Sequence, residues 1–493
     1  MVRKFILLMC FTVLVALYAM GDGSKSNYVI DSLSFEIEGR TREFVLLDLL
    51  EIQVGTIFDS EADLDAFIID KTQILRNQRV LEDASIEKVL GEGISGASRP
   101  VHLIIHTIDS WNIVGLPYFK YDSNDGLLVA LRGRDYNFFG TMTTFLLNVN
   151  WQFDTNGQQY PGFESSFSLP FKRYDLDWAW RLEAEIVFPE DGPADLNAST
   201  TLEVSKLAGM GKLGLALTQA IGINDRDSYD VYYDDPLYFR STAKFFYAMT
   251  LADAGKRGKL MATPFVSLSD RWAFDELLDS SLDTGPILTP GVDLTFGRVN
   301  WIGNFRKGFK ASISADLNYY LQDGDWSRIF SSSFAGYTVL GPFGPSARIT
   351  TLFRPDSLDL SAGDALRGIL DVRVDTDAAV FLNIDLPLRV ITFRPADWFH
   401  ARWMKVFQFE QQWSPFFDMA LGHFGSTWFD PADGWYSAGL EVITYPKYFR
   451  AFYVRISLGW DLISVIENGS LSGLSTRDGA SVRELFIGLG HHY

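Results

Sequence analysis

From about residue 112 to the end of the chain, apolar and polar side chains alternate with a period of two. That period marks strands with one apolar and one polar face. Over 144–153, Phe145, Leu147, Val149, Trp151 and Phe153 share one face, and Thr144, Asn148, Asn150 and Gln152 the other. Over 177–188, Trp178, Trp180, Leu182, Ala184, Ile186 and Phe188 oppose Asp177, Arg181, Glu183 and Glu185. Over 309–319, Phe309, Ala311, Ile313, Ala315, Leu317 and Tyr319 oppose Lys310, Ser312, Ser314, Asp316 and Asn318. Phe452, Val454, Ile456, Leu458 and Trp460 repeat the pattern near the C-terminus. Sixteen strands are predicted, starting near 125, 141, 162, 176, 198, 211, 238, 257, 291, 308, 344, 378, 404, 436, 449 and 484. Aromatic residues near the ends of the apolar faces suit a belt at a lipid boundary. A large soluble sandwich or propeller would bury those faces and repeat a blade motif, and no such repeat is evident.

Residues 28–108 follow a different rhythm. A strand over Tyr28–Gly39 precedes a segment from Thr41 to Gly55 with apolar residues at helical spacing. A second helix begins after Ser60, a capping residue, with acidic residues in its first turn and Leu64, Phe67, Ile68, Ile74 and Leu75 on one stripe. Two strands, near 80–89 and 99–108, close the unit. The predicted order is β-α-α-β-β.

Ahead of this lies an export-type leader. Arg3 and Lys4 precede an apolar core too short for a membrane span, and Ala19 and Gly21 are small residues at a cleavage point after Gly21, giving a signal peptide over 1–21. The only cysteine, Cys10, falls inside it, so the mature chain is expected to carry no disulfide. Elsewhere no uniformly apolar stretch is long enough for a membrane helix, and the mean hydropathy is +0.03. A membrane barrel also gives this value, because it averages lipid-facing and lumen-facing positions. The net charge of −19, or −21 without Arg3 and Lys4, disfavours nucleic-acid binding.

Candidate chemistry is sparse. His102 and His106 lie four apart on a predicted strand, a spacing that suits zinc on a helix instead. His491 and His492 would point to opposite faces. No phosphate-binding loop, nucleophile elbow or metalloprotease motif occurs. Neither enzymatic activity, nor a cofactor, nor a metal is expected.

Two sets of residues carry a resemblance. The β-α-α-β-β unit, with Ile37-Glu38-Gly39, the stretch from Val54 to Asp59, and the stretch from Ile74 to Glu87, resembles a POTRA domain. The region after 112 resembles the barrel of the BamA and TamA superfamily of outer-membrane assembly and secretion proteins. Asn137 to Gly140 matches its barrel-entry turn; Ser414–Phe424, with Asp418, its strand 13; and Tyr436–Pro446, with Glu441, its strand 14. Leu366-Arg367-Gly368-Ile369 stands just before strand 12, where the family places a Val-Arg-Gly-aromatic loop that folds back into the lumen. Gly488 and the terminal Tyr493 match its C-terminal strand signal.

The resemblance implies a transmembrane β-barrel over 112–493 in a bacterial outer membrane, with a POTRA domain over 28–108 in the periplasm. It implies that Arg367 pairs with Asp418, with Glu441 nearby, and so locks the loop. It implies partners in the lipid bilayer and in unfolded client proteins, with accessory lipoproteins in addition. The implied activity is insertion or translocation of those clients through a seam between strand 1 (about 125–133) and strand 16 (484–493). Two other roles fit the same barrel: a cation-preferring pore or structural barrel without insertase activity, and a dedicated two-partner-type secretion transporter.

Overall fold

The computed structural model describes residues 27–489, apart from 93–97, 123–125, 155, 191–193, 224–236, 273–284, 357–359, 371–372, 396–397, 399–403, 405–406, 425–426, 449, 452 and 476. The leader, Cys10, His400, His491, His492 and Tyr493 lie outside the described residues. The chain divides into two compact units, Met1–Asp109 and Ser110–Tyr493.

In the first unit, β1 (Tyr28–Glu38), α1 (Glu43–Leu50), β2 (Ile57–Phe58), α2 (Glu61–Arg76), β3 (Leu81–Leu90) and β4 (Arg99–Asp109) form a sheet of order β2-β1-β4-β3 with two helices. β1 runs parallel to β4, which is antiparallel to β3. Ser60 caps α2, its hydroxyl accepting from the Asp63 N–H at 3.2 Å. Leu46 and Leu50 of α1, Leu64 and Leu75 of α2, and Val101, Leu103 and Ile105 of β4 are all fully buried. Each set follows its element's own period, which is why the helix stripe and the alternating strand were legible in advance.

The second unit is a closed antiparallel barrel. Its strands are β5 (Ile113–Asp122), β6 (Gly126–Asp135), β7 (Phe145–Phe153), β8 (Gln159–Arg173), β9 (Leu176–Val187), β10 (Asp195–Ala208), β11 (Gly211–Ile223), β12 (Leu237–Asp253), β13 (Lys259–Trp272), β14 (Ile287–Ile302), β15 (Phe305–Tyr320) and β16 (Trp326–Tyr337). They continue with β17 (Ser346–Phe353), β18 (Ala378–Asp385), β19 (Leu388–Phe393), β20 (Phe409–Phe424), β21 (Thr427–Trp428), β22 (Trp435–Pro446), β23 (Val454–Asp461) and β24 (Arg483–Leu489). β18 and β19 are two halves of one wall strand broken at Leu386 and Pro387, since both pair with β20. β21 only extends the tip of β20. The wall therefore has eighteen strands, not the sixteen expected.

The two missed strands are β5 and β16. Gly115 and Pro117 interrupt the apolar face of β5, and three consecutive serines, Ser331–Ser333, blur the alternation of β16. The expected first strand near 125–133 is β6, the second in the wall; β5 precedes it and closes the barrel against β24.

Burial in the barrel is inverted relative to a soluble protein. Outward positions such as Leu131, Val149, Trp151, Leu217, Phe245 and Ile456 are exposed, whereas inward Asn148, Asn383, Gln412, Asp418, Ser437 and Glu441 are buried. An apolar outer surface with backbone groups paired around a closed wall is the strand solution for spanning hydrocarbon. Tight turns join the strands at one end, as at 174–175 and 209–210, and long connections such as 354–377 and 462–482 lie at the other.

Candidate functional site

The connection 354–377 does not stay outside. It turns back into the lumen, where Ala362, Leu366, Ile369 and Val374 pack against inward Ala379, Phe381, Ala420, Phe424 and Trp435. Leu366 and Ile369 are almost completely buried. Burying two such side chains contributes roughly 1.5–3 kcal/mol each, enough to hold the loop down before any polar contact is counted.

Those two residues flank Arg367, which is 4% exposed. Its guanidinium grips Asp418 on β20 with a two-pronged contact, Nη2 to Oδ1 at 2.7 Å and Nε to Oδ2 at 2.9 Å. The Arg367 backbone N–H donates to the same Oδ2 at 3.0 Å. Nη1 donates to Asp385 on β18 at 2.7 Å and lies 3.4 Å from Glu441 on β22. The Phe416 ring lies beneath the cation, 4.0 Å from centroid to carbon. Arg455 on β23 approaches Glu441 from the other side, also at 3.4 Å. Asp418 is fully buried, so its charge depends on these donors in place of water.

Gly368 explains how the loop comes so close. Its φ is +84°, and an added Cβ would lie 2.6 Å from the Trp460 nitrogen and 2.7 Å from the Gly459 carbonyl carbon. Gly459 on β23 is constrained in turn: its own Cβ would meet Gly368 Cα at 2.7 Å. Backbone rests on backbone there, and no side chain fits between. The Gly368 N–H then donates to Glu484 Oε2 on β24 at 2.6 Å.

Sequence reasoning had named Arg367, Asp418 and Glu441, and these three meet in space. It missed Asp385, Gly459, Phe416 and Glu484. Strand parity held the signal for two of them: Asp385 shares a face with Asn383, the register partner of Asp418, and Glu484 shares one with Gly488. Asn137 and Gly140 form the turn between β6 and β7. Asn137 is fully buried and accepts from the Met142 N–H at 2.8 Å, and Gly140 has φ +75°. Gly488 lies under Phe486 and the Tyr118 hydroxyl, where a Cβ would come within 2.5 and 2.9 Å. The discounted histidines have local partners: His102 lies between the Ser32 and Ser34 hydroxyls, and His106 contacts Glu36 at 2.9 Å.

No protein-family model matches the chain, and no curated protein matches it. Among solved structures, CdiB from Acinetobacter baumannii aligns over 94% of this chain and 74% of its own, with a TM-score of 0.50 and 13% identity. BamA from Haemophilus ducreyi lacking POTRA domains 1-3 aligns over 94% and 84%, with a TM-score of 0.42 and 12% identity. CdiB from Escherichia coli aligns over 95% and 91%, with a TM-score of 0.41 and 10% identity. At such identities the likeness is one of fold: this chain builds a barrel similar to that of CdiB.

Proposed function

We propose that this protein is an outer-membrane β-barrel that inserts or translocates other proteins, with the seam between β5 and β24 as the exit for the client. The observation that carries this reading is the seam itself. Among the described residues, β24 pairs with β5 at only Phe486–Asp122 and Ile487–Tyr121, whereas it pairs with β23 at seven positions. When such a seam parts, the backbone donors and acceptors of its two strands become available, and an extended client adds to them as a new strand. The first unit acts in this reading as a periplasmic POTRA domain that hands clients to the barrel. Its sheet ends, in the order β2-β1-β4-β3, on β3, which pairs with β4. Nothing in the cycle calls for a cofactor or nucleotide.

The test is to lock the seam. Cysteines at Tyr121 and Ile487, register partners across it, are oxidised to a disulfide in the membrane. Client insertion should stop when the seam is locked and return on reduction. Full activity in the locked barrel refutes the exit. A steady, cation-selective conductance with no change in outer-membrane protein content on depletion would instead favour the pore role, and loss of one secreted partner alone would favour a dedicated transporter.

A further inference from the structure

The 462–482 connection between β23 and β24 spends its polar groups on the fold. Its helix, α3 (Leu462–Asn468), starts on Asp461, the last residue of β23. Asp461 accepts from the Ser464 N–H at 3.2 Å and from the Ser464 hydroxyl at 2.8 Å. Gly469, with φ +62°, reverses the chain after α3. Residues 473–475 then run against 480–482, the Ser475 N–H donating to the Ala480 carbonyl at 2.7 Å. The buried Ser464 and Ser475 hydroxyls lie 2.7 Å apart, and Asn468 donates to the Leu474 carbonyl at 2.7 Å. Arg373 of the tucked loop clamps this connection to the lumen side. Its side chain is 2% exposed, lies 2.7 Å from Asp461 and 2.6 Å from Asp478, and donates to the Ser481 carbonyl at 3.3 Å. Arg477 donates to the Gly434 and Asp433 carbonyls.

The apolar side chains of the same segment are left outside. Ile466, Leu471 and Leu474 are 79%, 59% and 66% exposed. On α3, Leu462 and Ile466 lie one turn apart, on the side opposite the buried Ser464. Trp460 fixes where this surface lies. It shares the strand face of the exposed Ile456, opposite Gly459, which meets the tucked loop. Its Nε1 donates to the Leu471 carbonyl at 3.1 Å. Leu471 is therefore attached to the lipid side of the wall, at the end of β23, and not over the lumen. Indoles at strand ends sit at the membrane–water boundary. We propose that 462–474 is an interfacial anchor, in which Ile466, Leu471 and Leu474 enter the headgroup–acyl boundary beside Trp460 and bind lipid chains. Lipid is the occupant because the patch continues the outer face of β23. Arg373 holds the opposite side of the connection and so keeps the patch turned to the bilayer. The inference rests on the reading of the barrel as membrane-spanning and requires no client.

The test uses the full-length protein with Cys10→Ser in lipid nanodiscs that hold one copy. A fluorescent label is placed on one introduced cysteine at a time, and the lipid carries bromine either near its headgroup or near its chain ends. Labels at Ile466→Cys, Leu471→Cys and Leu474→Cys should be quenched, most strongly by bromine near the headgroup, as for side chains about 5–10 Å into the boundary. A label at Ile456→Cys, on the outer face of β23, is the reference for the wall and should also be quenched. Ile466→Asp together with Leu474→Asp should abolish the quenching at Leu471→Cys and leave that at Ile456→Cys unchanged. Unquenched labels at all three loop positions beside a quenched Ile456→Cys overturn the anchor and leave the membrane-spanning wall standing. An unquenched Ile456→Cys refutes the wall reading and the anchor with it. Shielding of Ile466→Cys from aqueous iodide only in vesicles crowded with protein, without bromine quenching, would assign the patch to a second copy and overturn the proposal.

Discussion

Replacing Arg367 by alanine should leave three carboxylates, on Asp385, Asp418 and Glu441, facing a space from which their main cation has gone, with Arg455 still 3.4 Å from Glu441. Asp418 is fully buried, so bulk water reaches it only if the loop lifts. Removing one partner of a buried, hydrogen-bonded pair costs about 3–5 kcal/mol, mostly because the other charge is stranded. Asp418→Ala is the milder change. Arg367 keeps Asp385 and Glu441, and the main loss is the two-pronged contact together with the acceptor for the Arg367 N–H, an orphaned donor worth about 1–3 kcal/mol. Arg367→Ala should therefore be the worse of the two. In the double variant the stranded charge of Asp418 is gone, so the total should exceed that of Arg367→Ala by little, with a coupling of about 2–3 kcal/mol. Equilibrium unfolding in urea of the barrel in detergent, followed by heat-modifiable gel migration, gives the three differences. Limited proteolysis of 354–377 gives the loop's release directly. Losses that add to within about 0.5 kcal/mol would mean that the two residues act independently and that the contact does not lock the loop.

Gly368→Ala should destabilise the barrel and release the loop to protease, because the new methyl meets the backbone of β23, which cannot give way as a side chain can. Ser60→Ala should destabilise the first unit by about 1 kcal/mol through loss of the α2 cap, read in its thermal midpoint. Leu131→Arg, on the outer face of β6, should cost up to about 2–4 kcal/mol near mid-membrane, whereas a polar residue at the same place in a soluble barrel would cost little. The clamp at Asp478 also sets a pH dependence. Burial acts to raise this carboxyl, but hydrogen bonds from Arg373 and the Ala480 N–H outweigh it and hold it below the ordinary carboxylate value. Since the folded value is the lower one, its contribution is complete above about pH 4, the unfolded value, and is lost as pH falls through the depressed one. Proteolysis of 462–482 should be flat from pH 8 to pH 5 and rise only in stronger acid; a rise near pH 6 contradicts this.

Most of the wall was legible because a strand with lipid on one side and lumen on the other must alternate. β7, β9 and β15 announce themselves in a single line of sequence. The signal fails where a strand has another duty. β5 carries Gly115 and Pro117 next to the seam, and β16 has small polar residues on both faces, so neither offers a clean period. Arg367 and its acids were found by resemblance, through the position of Leu366–Ile369 ahead of Ala378 and the acid in Ser414–Phe424. Asp385 and Glu484 escaped because a carboxylate on a lumen face is common, and only three-dimensional register tells the one that faces the loop tip. Arg373 had no motif at all. Its partners, Asp461 at the end of β23 and Asp478 in a connection that carries no period, lie about a hundred residues downstream.

The loop tip also constrains the order in which the barrel can be built. The barrel residues that Arg367, Gly368 and Arg373 grasp include Asp385, Asp418, Asp461 and Glu484, all downstream of the loop. The contact between Gly368 and Gly459 leaves no gap, so the loop tip seats most easily when β23 can still move against it. We expect β18 to β24 to gather around the loop while the sheet is still open. Closure against β5 brings together residues some 365 positions apart, Asp122 and Phe486, and long-range pairings of that kind form last. On this order the C-terminal third assembles first, with the loop as its core, and the expected outcome is that a chain truncated just before β24 still collects β18 to β23 around Arg367.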